Sequence, residues 1–350
     1  AMSETQGASW LEGLSELRAW TAGHEAIVVA PGSLSVLALV REEFYGRVDA
    51  VQRRLAEMVL AERVDEACAV ARACAEVRDE VRRAGGLASL TLAAKLESFL
   101  SNPQAALAAP AFSPVLDALS GRLTEAEAEQ EAARALARSC ESLVRNAYEA
   151  WAYYGVIAEL RPRRFWAVAS FDGDDVRAVE TDEVVAGWQA ASPDRRVPEA
   201  VFQTEDGRLF AMKSEAAREL DYYGFAATRG RDTSAGGNTR DLLGHRVLLI
   251  YEMRSLDEVP VMVDRQKHIQ RPCDLACTVL DPAQMRNPAY YGTFLSRLRG
   301  LRCRRPVQVV PFGSESFSEE TISDLGEAVE FRGHGLNREV LAPIAQCLAS

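Results

Sequence analysis

Asp264 and Asp281 each follow a short apolar stretch, 259–263 and 277–280, patterned as a β-strand. In sheets with parallel strands, ligands gather beyond the carboxyl ends of the strands. Two carboxylates placed there could hold Mg²⁺ for phosphoryl chemistry. Gly313-Ser314 has the same position after 309–312. The plainer reading of Asp281-Pro282 is a strand running into a turn. Four other side chains have the types of a zinc site: His268, Cys273, Cys277 and Cys303, spaced His-x4-Cys-x3-Cys-x25-Cys. Zinc ligands usually pair about two to four residues apart. Cys277 belongs to an apolar strand, however, and Cys273 lies just ahead of it, which suits packing. Cys303 stands between Arg302 and Arg304-Arg305, whose charge favours its thiolate if the sulfur is exposed.

The stretch 226–246 is the most loop-like of the chain, and it carries Arg229, Arg231 and Arg240 among glycines and hydroxyl residues. It has no Gly-Lys-Ser/Thr and so no P-loop. A Gly-rich loop leading to a helix start at Asn238 or Thr239 would still present backbone amides to an anion, with those arginines beside them. A plain surface loop is the alternative. Arg240 and His245 form Arg-x-x-x-x-His, which resembles the short signature of metal-independent ribonucleases of the helical HEPN class. The resemblance implies a pair that polarises a phosphodiester and moves its proton, set inside a helical, usually dimeric, bundle. This chain departs from that setting, because Gly244 and the strand-patterned 246–251 bracket the histidine.

The elements that must position these residues change character at Arg161-Pro162-Arg163-Arg164. Before it the pattern is helical. Ser9 with Glu12 fits a capping box ahead of Trp10, Leu14, Leu17 and Trp20, a helix that either docks on its own body or binds a partner. Residues 26–30 read as a lone strand that either joins the C-terminal sheet or opens a helix. From Ser35 to Arg83 there is no proline, and Leu37, Phe44, Val51 and Met58 recur every seven residues. That predicts a helix of roughly 70 Å at 1.5 Å per residue, kinked near 62–65 and stopped by Gly85-Gly86. Shorter helices follow over 90–122. Thr124 with Glu127 then caps a helix reaching about Leu160, with Leu136, Cys140, Leu143, Ala147, Trp151 and Ile157 on one face. Cys68, Cys74 and Cys140 read as core residues.

After the break come hairpins (164–171 with 176–179, and 200–203 with 208–212), a helix from Ser214 to Tyr223, and strands at 246–252, 259–263, 275–280 and 306–311. Helices are expected at 288–299, 318–329 and 337–348. The expected fold class is α+β: an antiparallel long-helix bundle over 1–160, then a mixed α/β domain over 161–350 with a partly parallel sheet.

Apolar residues make up 48% of the chain and charged ones 26%, the balance of a globular protein with a sizeable core. No apolar run is long enough for a membrane span, and the N-terminus lacks a signal-peptide layout. With seven cysteines at unhelpful spacings, the expectation is reduced thiols and a cytoplasmic protein without a membrane partner. The net charge of −11 disfavours nonspecific nucleic-acid binding. Yet 225–305 holds 14 basic and 8 acidic residues, which leaves room for a phosphorylated small molecule or a nucleic acid. No Glu-x-x-His occurs, and no histidine lies between 25 and 244, which disfavours a di-metal carboxylate bundle. No cofactor is indicated. The expected function is a non-enzymatic interaction or regulatory protein, with a bundle that binds a protein partner and an α/β docking or sensing domain. The alternatives are a metal-dependent nuclease or phosphotransfer enzyme using Asp264 and Asp281, and a nucleotide or anion sensor at 226–246.

Overall fold

The structure, a computed structural model, describes residues 4–30, 32–170, 175–186, 197–214, 247–262, 271–292, 294 and 303–349. The fold is α+β. Helices accompany an eight-stranded, mixed and partly parallel sheet. The chain divides into two compact units elsewhere than at the 160/161 break. One unit is 1–72 with 95–147, and the other is 73–94 with 148–350.

The first unit opens with α1 (Glu4–Ala22). Ser9 therefore lies inside the helix and is not its cap. The buried Trp10, Leu14 and Leu17 show that this helix docks within its own unit, where the Trp10 Nε1–H donates to Glu129 Oε2 at 3.2 Å. Two strands follow, β1 (Ile27–Ala30) and β2 (Ser33–Val36), paired antiparallel with each other. The strand expected at 26–30 thus exists but does not join the C-terminal sheet. Gly32, at φ +74°, reverses the chain, and 33–36 satisfies the strand's backbone groups locally. Next come α2 (Arg41–Leu60) and α3 (Arg63–Ala84). Helix α2 starts later than the sequence pattern suggests because 33–36 is committed to the hairpin. Ala61, at φ 45°, breaks the path between the two helices. Phe44, Val48, Val51 and Leu55 bury the stripe of α2.

After β3 (Ser89–Thr91) the chain forms α4 (Ala94–Ser101), α5 (Pro103–Ala108) and α6 (Phe112–Leu119). Then α7 (Glu125–Glu159) runs for 35 residues. Its capping box is present: Glu127 Oε2 accepts from the Thr124 amide at 2.9 Å, and Thr124 Oγ1 accepts from the Glu127 amide at 3.3 Å. Leu136, Cys140, Leu143, Ala147, Trp151 and Ile157 are all buried. The division between the units falls within α3 and within α7.

In the second unit the strands are β4 (Pro162–Ser170), β5 (Val176–Glu180), β6 (Glu183–Val185), β7 (Ala200–Thr204), β8 (Leu209–Lys213) and β9 (Val247–Met253). The series continues with β10 (Leu275–Leu280), the short α8 (Pro282–Met285), β11 (Val307–Pro311), α9 (Glu319–Leu325), β12 (Val329–Phe331) and α10 (Ala342–Ala349). Sheet order is β12-β11-β10-β9-β8-β7-β4-β5, parallel only between β10, β11 and β12, while β3 pairs with β6 in a separate two-stranded sheet. Both faces of the central strands are buried, which is why 247–251 and 275–280 are apolar without alternation. On one face Phe165, Phe202 and Phe210 form a cross-strand ladder, with centroids 5.7 and 5.6 Å apart. On another lie Trp166, Val201, Ala211, Leu249, Tyr251 and Ala276.

The end of α3 belongs to this unit for a visible reason. Gly85 lies so close to the Phe165 ring that a Cβ there would meet Cε2 at 2.3 Å. Arg338 pairs with Glu80 of α3 and, at 2.6 Å, with Glu159 of α7. Two expected elements differ. Residues 259–262 form no strand, because Pro260 has no amide for a ladder; Val259 and Met262 instead pack on the sheet face. The helix expected over 318–329 stops at Leu325, where Gly326 takes φ 53°; Gly326–Ala328 form a 3-10 turn and Val329 opens β12. The helix expected from Ser214 to Tyr223 lies outside the described residues. No helix among those described is long and apolar enough to cross a membrane.

Candidate functional site

The parallel strands β10, β11 and β12 give the sheet a carboxyl edge and an amino edge, and candidate residues occur at both. Asp281 is at the carboxyl edge, directly after β10. Its Oδ1 accepts from the Ala283 amide at 2.9 Å and the Gln284 amide at 3.4 Å, so it caps α8. Gly313 follows β11 on the same edge at φ +78°, and its carbonyl accepts from the Gly335 amide at 3.1 Å. Tyr148 Oη donates to the carbonyls of Pro311 at 2.9 Å and Gly335 at 3.2 Å and fixes both turns.

Strands β8 and β9 pair Lys213 with Leu249, and β9 pairs Val247 with Thr278 of β10. Lys213 and Val247, the ends of neighbouring strands, therefore lie at this same edge. The end of β8 is anchored. Buried Glu199 accepts from the Ser214 amide and from Ser214 Oγ, each at 2.9 Å. Arg229, Arg231, Arg240, His245, Asp264 and His268 all lie outside the described residues.

Cys273 and Cys303 meet at the amino edge. The Arg304 amide donates to the Cys273 carbonyl at 2.9 Å, which lays 303–305 alongside the start of β10. Both side chains then face the core that holds Tyr251 and Ala276, with Cys273 fully buried and Cys303 half-buried. The two thiols are hydrogen-bonded. That bond and burial push Cys273 well up, whereas the same bond holds Cys303 below the usual thiol range. Backbone amides at Arg305 and Ala276 also favour the Cys303 thiolate, and its partial burial opposes them.

Asp274 organises the surrounding charges. One of its oxygens accepts from Arg304 Nη1 at 3.1 Å, and the other from the Glu252 amide at 2.8 Å with Arg271 Nη2 at 3.7 Å. Cys277 is not brought to this pair. It lies four residues further on, roughly 13 Å at ~3.3 Å per residue, and is sealed inside the sheet with Arg332 as its charged neighbour. Among the described residues no three His, Cys, Asp or Glu side chains are grouped as a metal site requires.

The helical unit carries a feature that the sequence pattern misassigned. Leu37, counted there as a core position, is 55% exposed; Val28 is 58% and Leu39 80% exposed. The hairpin register places Val28 and Leu37 on one face, since 27 pairs with 36 and the Leu37 amide donates to the Ala26 carbonyl. Tyr45 and Phe112 are also exposed, with rings 6.1 Å apart. These five are a majority of the nine large apolar side chains exposed among the described residues. The signal available in the sequence was the Pro31-Gly32 turn, which makes a hairpin of the residues on either side. Comparison with family models, with curated proteins and with solved structures gave no match to this chain.

Proposed function

We propose that this chain is a non-enzymatic interaction protein whose helical unit docks a protein partner through Val28, Leu37, Leu39, Tyr45 and Phe112. The observation supporting this reading is that large exposed apolar side chains gather on the hairpin, the turn after it, α2 and the start of α6, with Val28 and Leu37 on one face and the Tyr45 and Phe112 rings 6.1 Å apart. Single exposed leucines are ordinary, whereas a contiguous group rimmed by polar residues is the mark of an interface. Glu25, Glu42 and Glu43 are exposed in the same segments, and the unit as a whole has 18 acidic against 12 basic residues. The partner that fits is a protein presenting apolar side chains in a basic surround.

The test uses the full chain and Leu37→Ser/Leu39→Ser as paired baits in native lysate, with circular dichroism and melting compared first. The expected result is a specific protein held by the wild type and lost by the variant, with both baits folded alike. Identical retained proteins would overturn the reading. So would self-association of the wild type that the same variant abolishes, since the surface would then serve a second copy.

A second reading has its own support. Lys213 and Val247, close to either end of 215–246 with its five arginines, lie at the carboxyl edge of the sheet, where Asp281 and Gly313 also lie. An anion or nucleotide sensor would bind there. Arg229→Ala with Arg231→Ala should weaken binding of inorganic phosphate or a nucleotide in calorimetry. Unchanged binding, or none by the wild type, would remove this reading.

A further inference from the structure

We propose that Cys303 and Cys273 form a thiol-modification site at the amino edge of β10, in which Cys303 reacts with a peroxide and Cys273 closes a disulfide on it. This inference is independent of the partner surface. It rests on three features of the structure: the side chains face the same core, their segments are joined by the Arg304–Cys273 backbone hydrogen bond, and the two differ in access. The Arg304–Cys273 backbone hydrogen bond holds the two segments side by side, the neighbourhood a disulfide requires, since its Cα atoms lie roughly 4.4–6.8 Å apart.

Access sets the order of events. Cys273 is fully buried, so an oxidant in solution meets Cys303 first. The hydrogen bond from Cys273 and the amides at Arg305 and Ala276 stabilise the anion on Cys303, the reactive form of a thiol.

The steps balance as follows. The Cys303 thiolate attacks the terminal oxygen of a hydroperoxide; an S–O bond forms and the O–O bond breaks. The leaving alkoxide takes a proton from water and departs as the alcohol, while Cys303 becomes a sulfenic acid. The Cys273 sulfur then attacks the Cys303 sulfur. The S–S bond forms as the S–O bond breaks, and hydroxide leaves with the Cys273 proton as water. Two electrons pass from the two thiols to the peroxide. A dithiol reductant reverses the change by exchange.

The other half-buried cysteines, Cys68 and Cys347, serve as internal controls. Full-length protein would be treated with limiting hydrogen peroxide, digested without reduction and mapped by mass spectrometry. The expected product is a 273–303 linked peptide pair, with Cys68 and Cys347 still reduced. Cys273→Ser should replace that link by a sulfenic acid at Cys303, trapped as a dimedone adduct. Cys303→Ser should leave Cys273 unmodified. Without oxidant, iodoacetamide should label Cys303 roughly tenfold faster than Cys68. Labelling of Cys303 no faster than Cys68, or a dimedone adduct spread evenly over the three half-buried thiols, would overturn the proposal. Because the labelling rates are read on the wild-type fold, the result survives if a cysteine variant fails to fold.

Discussion

Cys277 is sealed inside β10, where burial pushes its thiol up to about 12. Its folded value is raised, so its contribution to stability is complete below the unfolded thiol's ordinary value near ~8.5. That contribution falls as pH rises towards 12, because the unfolded chain then releases a proton that the folded chain keeps. Between those limits the loss is about 1.4 kcal/mol per pH unit. Denaturant titrations at pH 8, 9, 10 and 11 should show a steeper alkaline loss for the wild type than for Cys277→Val. Equal slopes would show that another group governs the decline.

Asp281 gives a second residue-scale prediction. As a helix cap, it can be replaced by Asn with little effect, whereas Asp281→Ala should cost about 1 kcal/mol. A metal ligand would tolerate neither change. Chemical denaturation of both variants with and without Mg²⁺ separates the two roles.

At the scale of elements, two glycines admit close approach in different ways. At Gly85 an added methyl would strike the ring of Phe165, which is itself packed against Phe202 in the sheet ladder. At Gly155 in α7 the nearest atom is Leu341 Cδ1, the tip of a side chain that can turn aside. Gly85→Ala is therefore expected to destabilise by roughly 1–3 kcal/mol and Gly155→Ala by less, both read from denaturant midpoints. A larger loss at Gly155 would show that the α7 contact, and not the α3 terminus, is the tighter joint.

The elements also mark where the sequence was informative. The 35-residue α7 was legible because Thr124, Glu127 and the buried stripe all point to one structure. Strands β7, β8, β10 and β11 were legible from turn residues and apolar runs. The hairpin of β1 and β2 was not, because Leu37 falls in phase with Phe44 and Val51, and a heptad pattern does not reveal where a helix starts. The absence of a strand at 259–262 was signalled by Pro260, whose missing amide outweighs the apolar character of its neighbours. The Cys273–Cys303 contact joins residues thirty positions apart and depends on the parallel alignment of β10 and β11. No local spacing encodes such a contact.

Across the whole chain, the two units carry different chemistry. The helical unit is acidic, with an exposed apolar face that fits a docked protein. The sheet unit has a thiol pair at one edge and, at the other, the attachment points of an arginine-bearing stretch. The central claim is that the face around Leu39 is where a partner sits, and site-specific photocrosslinking in the source cells tests it most directly. A photoreactive residue at Leu39 should yield one discrete heavier species containing a second, different polypeptide, while the same residue at exposed Glu320 yields none. If position 39 gives no adduct, gives the adduct seen from position 320, or links only to another copy of the chain, the account of this protein as a docking partner fails.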